Sequence, residues 1–331
     1  MSRDQQEGRP VSVLPNFELY DLKPAVADFR REVLAGLAAS PRCIAPKFFY
    51  DAEGSRLFDA ITRQPEYYPT RTEIGLLRAH GAEIAKRLGR HAALIELGSG
   101  SDVKIRSVLD VLRPAEYLPL DISLTHLRDS ATGIARDYPQ IRVRATCVDY
   151  TREFPLPPIA PEAHRVVFYP GSSVGNFEPT DVRDLLRWVA GMVGPGGRLL
   201  IGVDLKKDPA RLNAAYNDAA GVTAAFNRNV LVRMLKELRA QLSVDDFVHH
   251  AFYNAALGRI EMHLRAQRAT RIEIAGQAFD FAKGEGIHTE NSYKYSEEAF
   301  GALAAGVGFV TEQVWCDADR LFSVQCLRVA A

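Results

Sequence analysis

Cysteine is scarce and scattered in this chain: Cys43, Cys147, Cys316 and Cys326 are the only four among 331 residues, and they form no CxxC pair. That spacing excludes a disulfide framework and a cysteine-based zinc site, and reads as reduced thiols. An excess of charge of either sign is missing as well. Lys+Arg and Asp+Glu both number 41, so the formal net charge is zero and the composition carries no electrostatic footprint for a nucleic-acid partner. No stretch approaches the ~18–20 apolar residues of a membrane-spanning helix. The opening MSRDQQEGRP lacks the apolar core of a cleaved leader. What is there is ordinary globular composition, 47% hydrophobic and 25% charged, in a chain long enough for one large domain or two intimate ones. A cytoplasmic monomer is expected, with neither nucleic acid nor membrane as partner.

Residues 1–14 read as a flexible N-terminal arm, and the apolar rhythm Val26, Phe29, Val33, Leu34, Leu37 predicts a helix within 21–40. The aromatic-rich KFFYDAEGSRLFDAITRQPEYYPTRTE follows, then a helical pattern over 72–89. From residue 93 short apolar runs (93–100, 116–123, 142–151, 164–177, 198–205) alternate with helical patterns (102–113, 123–138, 179–197). Strands separated by crossover helices imply an α/β fold with a doubly wound, mostly parallel sheet. After Asp208 the alternation stops. Helical patterns at 209–219 and 227–242 precede β-like alternation over 247–285, then a helix at 296–309 and a hairpin at 310–330. A second, α+β domain is therefore expected.

The chemistry concentrates at strand ends. ELGSGSDVK (96–104) is a strand-to-helix glycine turn that brings a ligand to backbone N–H groups. Val103 stands where a dinucleotide fingerprint has its third glycine, and the GxGxG repeat is broken at Asp102. The second strand ends at Asp121, 23 residues beyond Gly98, where a carboxylate can take ribose hydroxyls. The third ends in Asp149–Tyr150, and the fourth opens into PGSSVGN (170–176). Three acidic groups at successive strand ends mark the carboxyl edge, where ligands bind in such sheets. His249 and His250 lie among alternating strand residues with no cysteine cluster beside them, and no metal is assigned. In HTENSYKYS (288–296) strand alternation sets Glu290 and Ser292 on one side of the chain, while Ser296 before Glu297–Glu298 reads as the cap of the next helix.

KFFYDAEGSRLF, QPEYYPTRTE, ELGSGSDVK, YLPLDIS, PGSSVGNF, LIGVDLKKD, LNAAYND, IEMHLRA and HTENSYKY occur in this order. The set resembles the histidine-specific S-adenosylmethionine (SAM)-dependent methyltransferase family, through essentially residues 15–330. The resemblance implies a Rossmann-like methyltransferase domain (61–206 and 293–331) and a substrate-binding domain (15–60 and 207–292). It implies Gly98, Lys104, Asp121, Asp149 and Tyr150 as contacts of SAM, the methyl donor, with Tyr50 closing the site. Asn176 and Tyr216 would take the amino and carboxylate end of the substrate, with the Gly171 carbonyl nearby. Tyr68, Met262, Glu290 and Ser292 would surround the imidazole, the choice between Tyr67 and Tyr68 remaining open. The implied reaction is Nα-methylation of L-histidine, three times over, to hercynine, the first step of ergothioneine biosynthesis. Another amino acid such as tryptophan, or SAM binding without catalysis, is the alternative.

Overall fold

The computed structural model describes residues 14–24, 28–99 and 102–330. All of the arm expected at 1–14 except Leu14 therefore lies outside the described residues, as do Gly100 and Ser101 of the glycine turn. The chain forms two compact units. The first comprises 1–26, 72–205 and 295–331, the second 27–71 and 206–294. In chain order the strands are β1 (Phe17–Asp21), β2 (Ala93–Leu97), β3 (Glu116–Asp121), β4 (Arg142–Cys147), β5 (Arg165–Tyr169) and β6 (Arg198–Asp204) in the first unit. β7 (Phe247–Asn254), β8 (Arg259–Ala266), β9 (Thr270–Ile274), β10 (Gln277–Phe281) and β11 (Gly286–Tyr293) follow in the second. β12 (Phe309–Cys316) and β13 (Phe322–Val329) return to the first.

Unit one is an eight-stranded sheet in the order β1-β4-β3-β2-β5-β6-β13-β12. β1 to β6 run parallel, while β13 is antiparallel to both β6 and β12. Central strand β2, ALIEL, is buried along its whole length, as a strand covered on both faces must be. Leu94, Tyr117, Val143 and Phe168 join Ile105, Val108, Leu127 and Ile134 of the crossover helices in one core cluster. The alternate residues Ile95, Leu118, Val167 and Ile201 are also buried and, by strand alternation, point the other way. Strand order reverses between β2 and β5, which opens a crevice at their carboxyl ends.

One N-terminal expectation is corrected. The helix lies within its expected span, at Phe29–Ala38, where Asp28 caps it by accepting the Arg31 N–H at 3.0 Å; Val26 of the rhythm lies outside the described residues. Ahead of it, residues 17–21 alternate buried Phe17 and Leu19 with more exposed neighbours and pair in parallel with β4. Residues 15–24 thus belong with the large sheet, not with the substrate domain, and the later division falls after Arg71 instead of residue 60. Arg144 makes this edge possible. It is 7% exposed and bridges Glu116 on β3 (2.8 Å) and Glu18 on β1 (3.1 Å).

Unit two carries the antiparallel sheet β11-β8-β7 and the hairpin β9–β10. Between His288 and Glu290 the pairing with β8 slips: His288 faces His263, and Glu290 faces Met262. Thr289 is the extra residue of a β-bulge. Its hydroxyl is buried, donating to Asn227 Oδ1 (2.7 Å) of the helix Val222–Leu238. The bulge reverses parity. His288 shares one sheet face with His263, whereas Glu290 and Ser292 share the opposite one with Met262 and Ile260.

Removing Arg144 leaves Glu116, 3% exposed, without its closest cation, and Arg144→Ala should cost roughly 3–5 kcal/mol. A shift of the urea unfolding midpoint checks this; a loss under about 1 kcal/mol, the range of a surface pair, would place the ion pair outside the core energetics.

Candidate active site

In unit one the expected cofactor residues gather at the carboxyl edge. Gly98 has φ +71°, and a Cβ there would stand 3.2 Å from the Tyr150 hydroxyl, so glycine is required twice over. Burial pushes the Tyr150 phenol up to about 12, which keeps it a neutral donor. Glu96, the acidic residue before the glycine turn, is 1% exposed and accepts the Tyr117 hydroxyl hydrogen bond. Burial raises its carboxyl to about 8. At neutral pH it is mostly a protonated, hydrogen-bonded group. Asp121 accepts the Ser123 N–H at 2.8 Å, and burial raises its carboxyl from the usual range. Asp149 turns Oδ1 to Thr151, accepting its N–H (3.1 Å) and hydroxyl (2.6 Å).

Lys104 is anchored by a residue that strand-end reasoning passes over. Its Nζ lies 2.7 Å from Glu73 Oε2, and the Gly171 N–H meets both Glu73 oxygens at 2.9 and 3.0 Å. Glu73 is 1% exposed. Its carboxylate fits because β6 has Gly202 beside it: a Cβ there would come within 2.1 Å of Oε1. Gly171 has φ +83° and its missing Cβ would sit 3.2 Å from Lys104 Nζ. Gly171 opens the loop into the 3-10 turn Ser173–Asn176, which carries Asn176. Ser172 Oγ accepts the Asp204 N–H at 2.9 Å and ties that loop to β6. The Ser99 hydroxyl is buried with no hydrogen-bond partner among the described residues, as a ligand-facing group in a glycine turn would be.

In unit two a second cluster forms around β11. Tyr216 donates to Ser292 Oγ at 2.8 Å, and Lys294, 2% exposed, reaches Ser292 Oγ (2.8 Å) and the Tyr216 hydroxyl (3.1 Å). Tyr216 and Ser292, expected at opposite ends of a ligand, therefore stand side by side around one buried ammonium. Met262 is buried and pairs directly with Glu290. Tyr67 packs edge-on against Tyr216 with centroids 6.4 Å apart; Tyr68 is 2% exposed and accepts from Lys207 Nζ at 2.6 Å. Tyr50, 44% exposed, packs edge-on to Phe58 and Phe226.

A family profile described as histidine-specific methyltransferase, SAM-dependent, matches residues 29–329. The chain belongs to this family. Histidine N-alpha-methyltransferase of Mycolicibacterium smegmatis is 44% identical, over 88% of this chain and 92% of its own length. The Mycobacterium tuberculosis protein of the same name is 43% identical, over 87% and 91%. Ergothioneine biosynthesis protein 1 of Neurospora crassa is 30% identical over 83% of this chain, which spans 32% of that larger protein. The chain is thus a methyltransferase with SAM as methyl donor. No helix among the described residues is long and apolar enough to cross a membrane.

For a histidine-specific methyltransferase the Glu290 carboxyl has an unusual property. Burial raises it to about 7, with Lys294 pulling in the opposite direction. It can therefore meet an imidazole as a proton donor or an imidazolium as an acceptor near neutral pH. Sequence reasoning missed Glu73 and Lys294 as members of these clusters. Both lie inside the quoted motifs, and each is a charged residue beside buried neighbours (Leu76 and Leu77; Tyr293 and Tyr295), the one signal that would have marked them.

The raised carboxyl has a stability consequence. As pH rises from 4.5 to about 7 the unfolded chain releases the Glu290 proton first, so this group makes folding less favourable through that window and changes nothing above it. Glu290→Gln removes the effect. Relative to the parent, its stability should climb across the window by on the order of 3 kcal/mol, read by urea titrations at successive pH values. A constant difference would mean an ordinary, solvated carboxyl.

Proposed function

We propose that the chain converts L-histidine to Nα,Nα,Nα-trimethylhistidine by three successive methyl transfers, as a step of ergothioneine biosynthesis. The observation that carries this reading is the pairing of Glu290 with Met262 on the β11–β8 face, next to the Tyr216–Ser292–Lys294 cluster. A carboxyl poised to exchange a proton with imidazole suits histidine far better than an apolar side chain, and a site lined by polar partners penalises a ligand that leaves them unpaired. The identities to the mycobacterial histidine N-alpha-methyltransferases support the same choice.

In this reading Gly98, Asp121, Asp149 and Tyr150 bind SAM, and Lys104, oriented by Glu73, pairs with its carboxylate. SAM supplies an already activated methyl group, so what the protein contributes is proximity, alignment and exclusion of water. In each round an N–C bond forms to the substrate amine, the S–C bond breaks, and the nitrogen gives up a proton before it attacks again. The Asn176 side-chain oxygen and the Gly171 carbonyl accept N–H groups and orient the nitrogen. Tyr216 and Lys294 suit the substrate carboxylate, Ser292 sharing their hydrogen bonds. Met262 and Tyr68 wall the imidazole. Tyr50, water, or binding of the free amine are the routes for the departing proton.

Incubation with SAM and a panel of amino acids, read by mass spectrometry, should give mono-, di- and trimethylated histidine. Glu290→Ala should erode the preference for histidine, and Asn176→Ala should weaken handling of every amino acid. Turnover of another amino acid in place of histidine sinks the substrate assignment. Separately, Lys104→Met and Gly202→Ala, the latter by pushing Glu73 aside, should each weaken SAM binding about 10-fold or more, near 1.4 kcal/mol. Unchanged calorimetric affinity in Lys104→Met would remove Lys104 from the cofactor site.

A further inference from the structure

The sheet face opposite Glu290 and Met262 takes no part in the proposed chemistry, yet it gathers metal-ligating side chains. His250 on β7 faces His263 on β8, and His263 faces His288 on β11. Cys43 extends the row, meeting His288 at an isolated parallel bridge. Glu261 lies two residues from His263, on the same face of β8. One oxygen of Glu261 and one ring nitrogen each of His263 and His288 lie within 4.8 Å of one another. In a tetrahedral zinc site ligand atoms stand about 3.3 Å apart, given bonds of about 2.0–2.1 Å, so small side-chain rotations close the gap.

We propose that Glu261, His263 and His288 form a binding site for a single Zn²⁺ ion, with solvent at the remaining position. Two imidazoles and a carboxylate are a zinc ligand set that leaves one position open. The surrounding contacts already orient the ligands, as outer-shell partners do in metal sites. Glu261 Oε1 accepts from Asn254 Nδ2 (3.0 Å) and Arg259 Nε (2.9 Å), while Oε2 faces His263 Nε2 at 3.1 Å. The His263 ring is held between Phe252, stacked at 5.7 Å, and His288, stacked at 4.7 Å. His288 Nε2 donates to the Glu290 carbonyl at 3.1 Å, across the bulge. His263 and His288 are each half-buried, which leaves an entry path.

Charge decides the class of ion. The one carboxylate is already matched by Arg259, and Arg265 lies two residues further along the same face. Magnesium and calcium, which depend on several oxygen ligands, gain little here. A borderline transition ion bound chiefly through imidazole nitrogen remains. Binding there ties His288 to β8 and so fixes the bulge whose next residue is Glu290.

The test uses full-length protein carrying Cys43→Ser, which removes the exposed thiol as a competing ligand. Titration with zinc alone should give one ion per chain at micromolar affinity or tighter, and Co²⁺ in its place should give the visible bands of a low-coordinate site. His263→Gln and Glu261→Gln, on the same background, should each weaken zinc at least ~10-fold and abolish the cobalt bands, with circular dichroism confirming that they fold. Absence of stoichiometric zinc in the Cys43→Ser protein overturns the proposal, and so does zinc binding that survives both substitutions. The zinc readouts stand apart from methyl transfer, so they decide this site whatever the amino-acid panel shows.

Discussion

A single buried carboxylate organises the carboxyl edge of the first unit. Glu73, 1% exposed, holds the Lys104 ammonium and the Gly171 N–H at once. A charge so far from water is costly unless every lone pair is used, and here both oxygens are. The arrangement joins three parts of the chain that are distant in sequence: the helix Tyr68–Ala79 ahead of β2, the first helix after the glycine turn, and the loop after β5. Gly202 is its silent fourth member, since any side chain there would occupy the carboxylate's place. The loop that carries Asn176 is thus positioned by an ion pair and not only by packing.

In the second unit the corresponding constraint is one extra residue. Thr289 bulges out of the pairing between β11 and β8 and is held there by Asn227 and the Met262 carbonyl. Because side chains alternate with a period of two, one inserted residue sends everything beyond it to the other face. Glu290 and Ser292 thereby join Met262, while His288 stays with His263. The same irregularity creates both clusters of unit two. Without it Glu290 would lie among the histidines.

Much of this was legible in the sequence, for identifiable reasons. The strand–helix alternation from residue 93 onward and the carboxylates at strand ends are local patterns, and they recur at their expected places. Ser296 was legible as a cap, and it accepts the Ala299 N–H at 3.1 Å. Glu290 and Ser292 do share a face, because no irregularity intervenes between them. β1 escaped notice because five residues at a sheet edge, beside Pro24 and ahead of a strong helical rhythm, leave only a weak signal. Its membership depends on Arg144, more than a hundred residues later.

By itself the sequence determined the family and the α/β class, because these reside in residue types at short, fixed spacings. Tertiary structure alone decided which side chains meet. It paired Lys104 with Glu73, set Tyr216 beside Ser292 and Lys294, and stacked His263 on His288. Each of these contacts spans a turn, a bulge or a crossing of the sheet. Their geometry follows from register and burial over the whole unit, which no local spacing encodes.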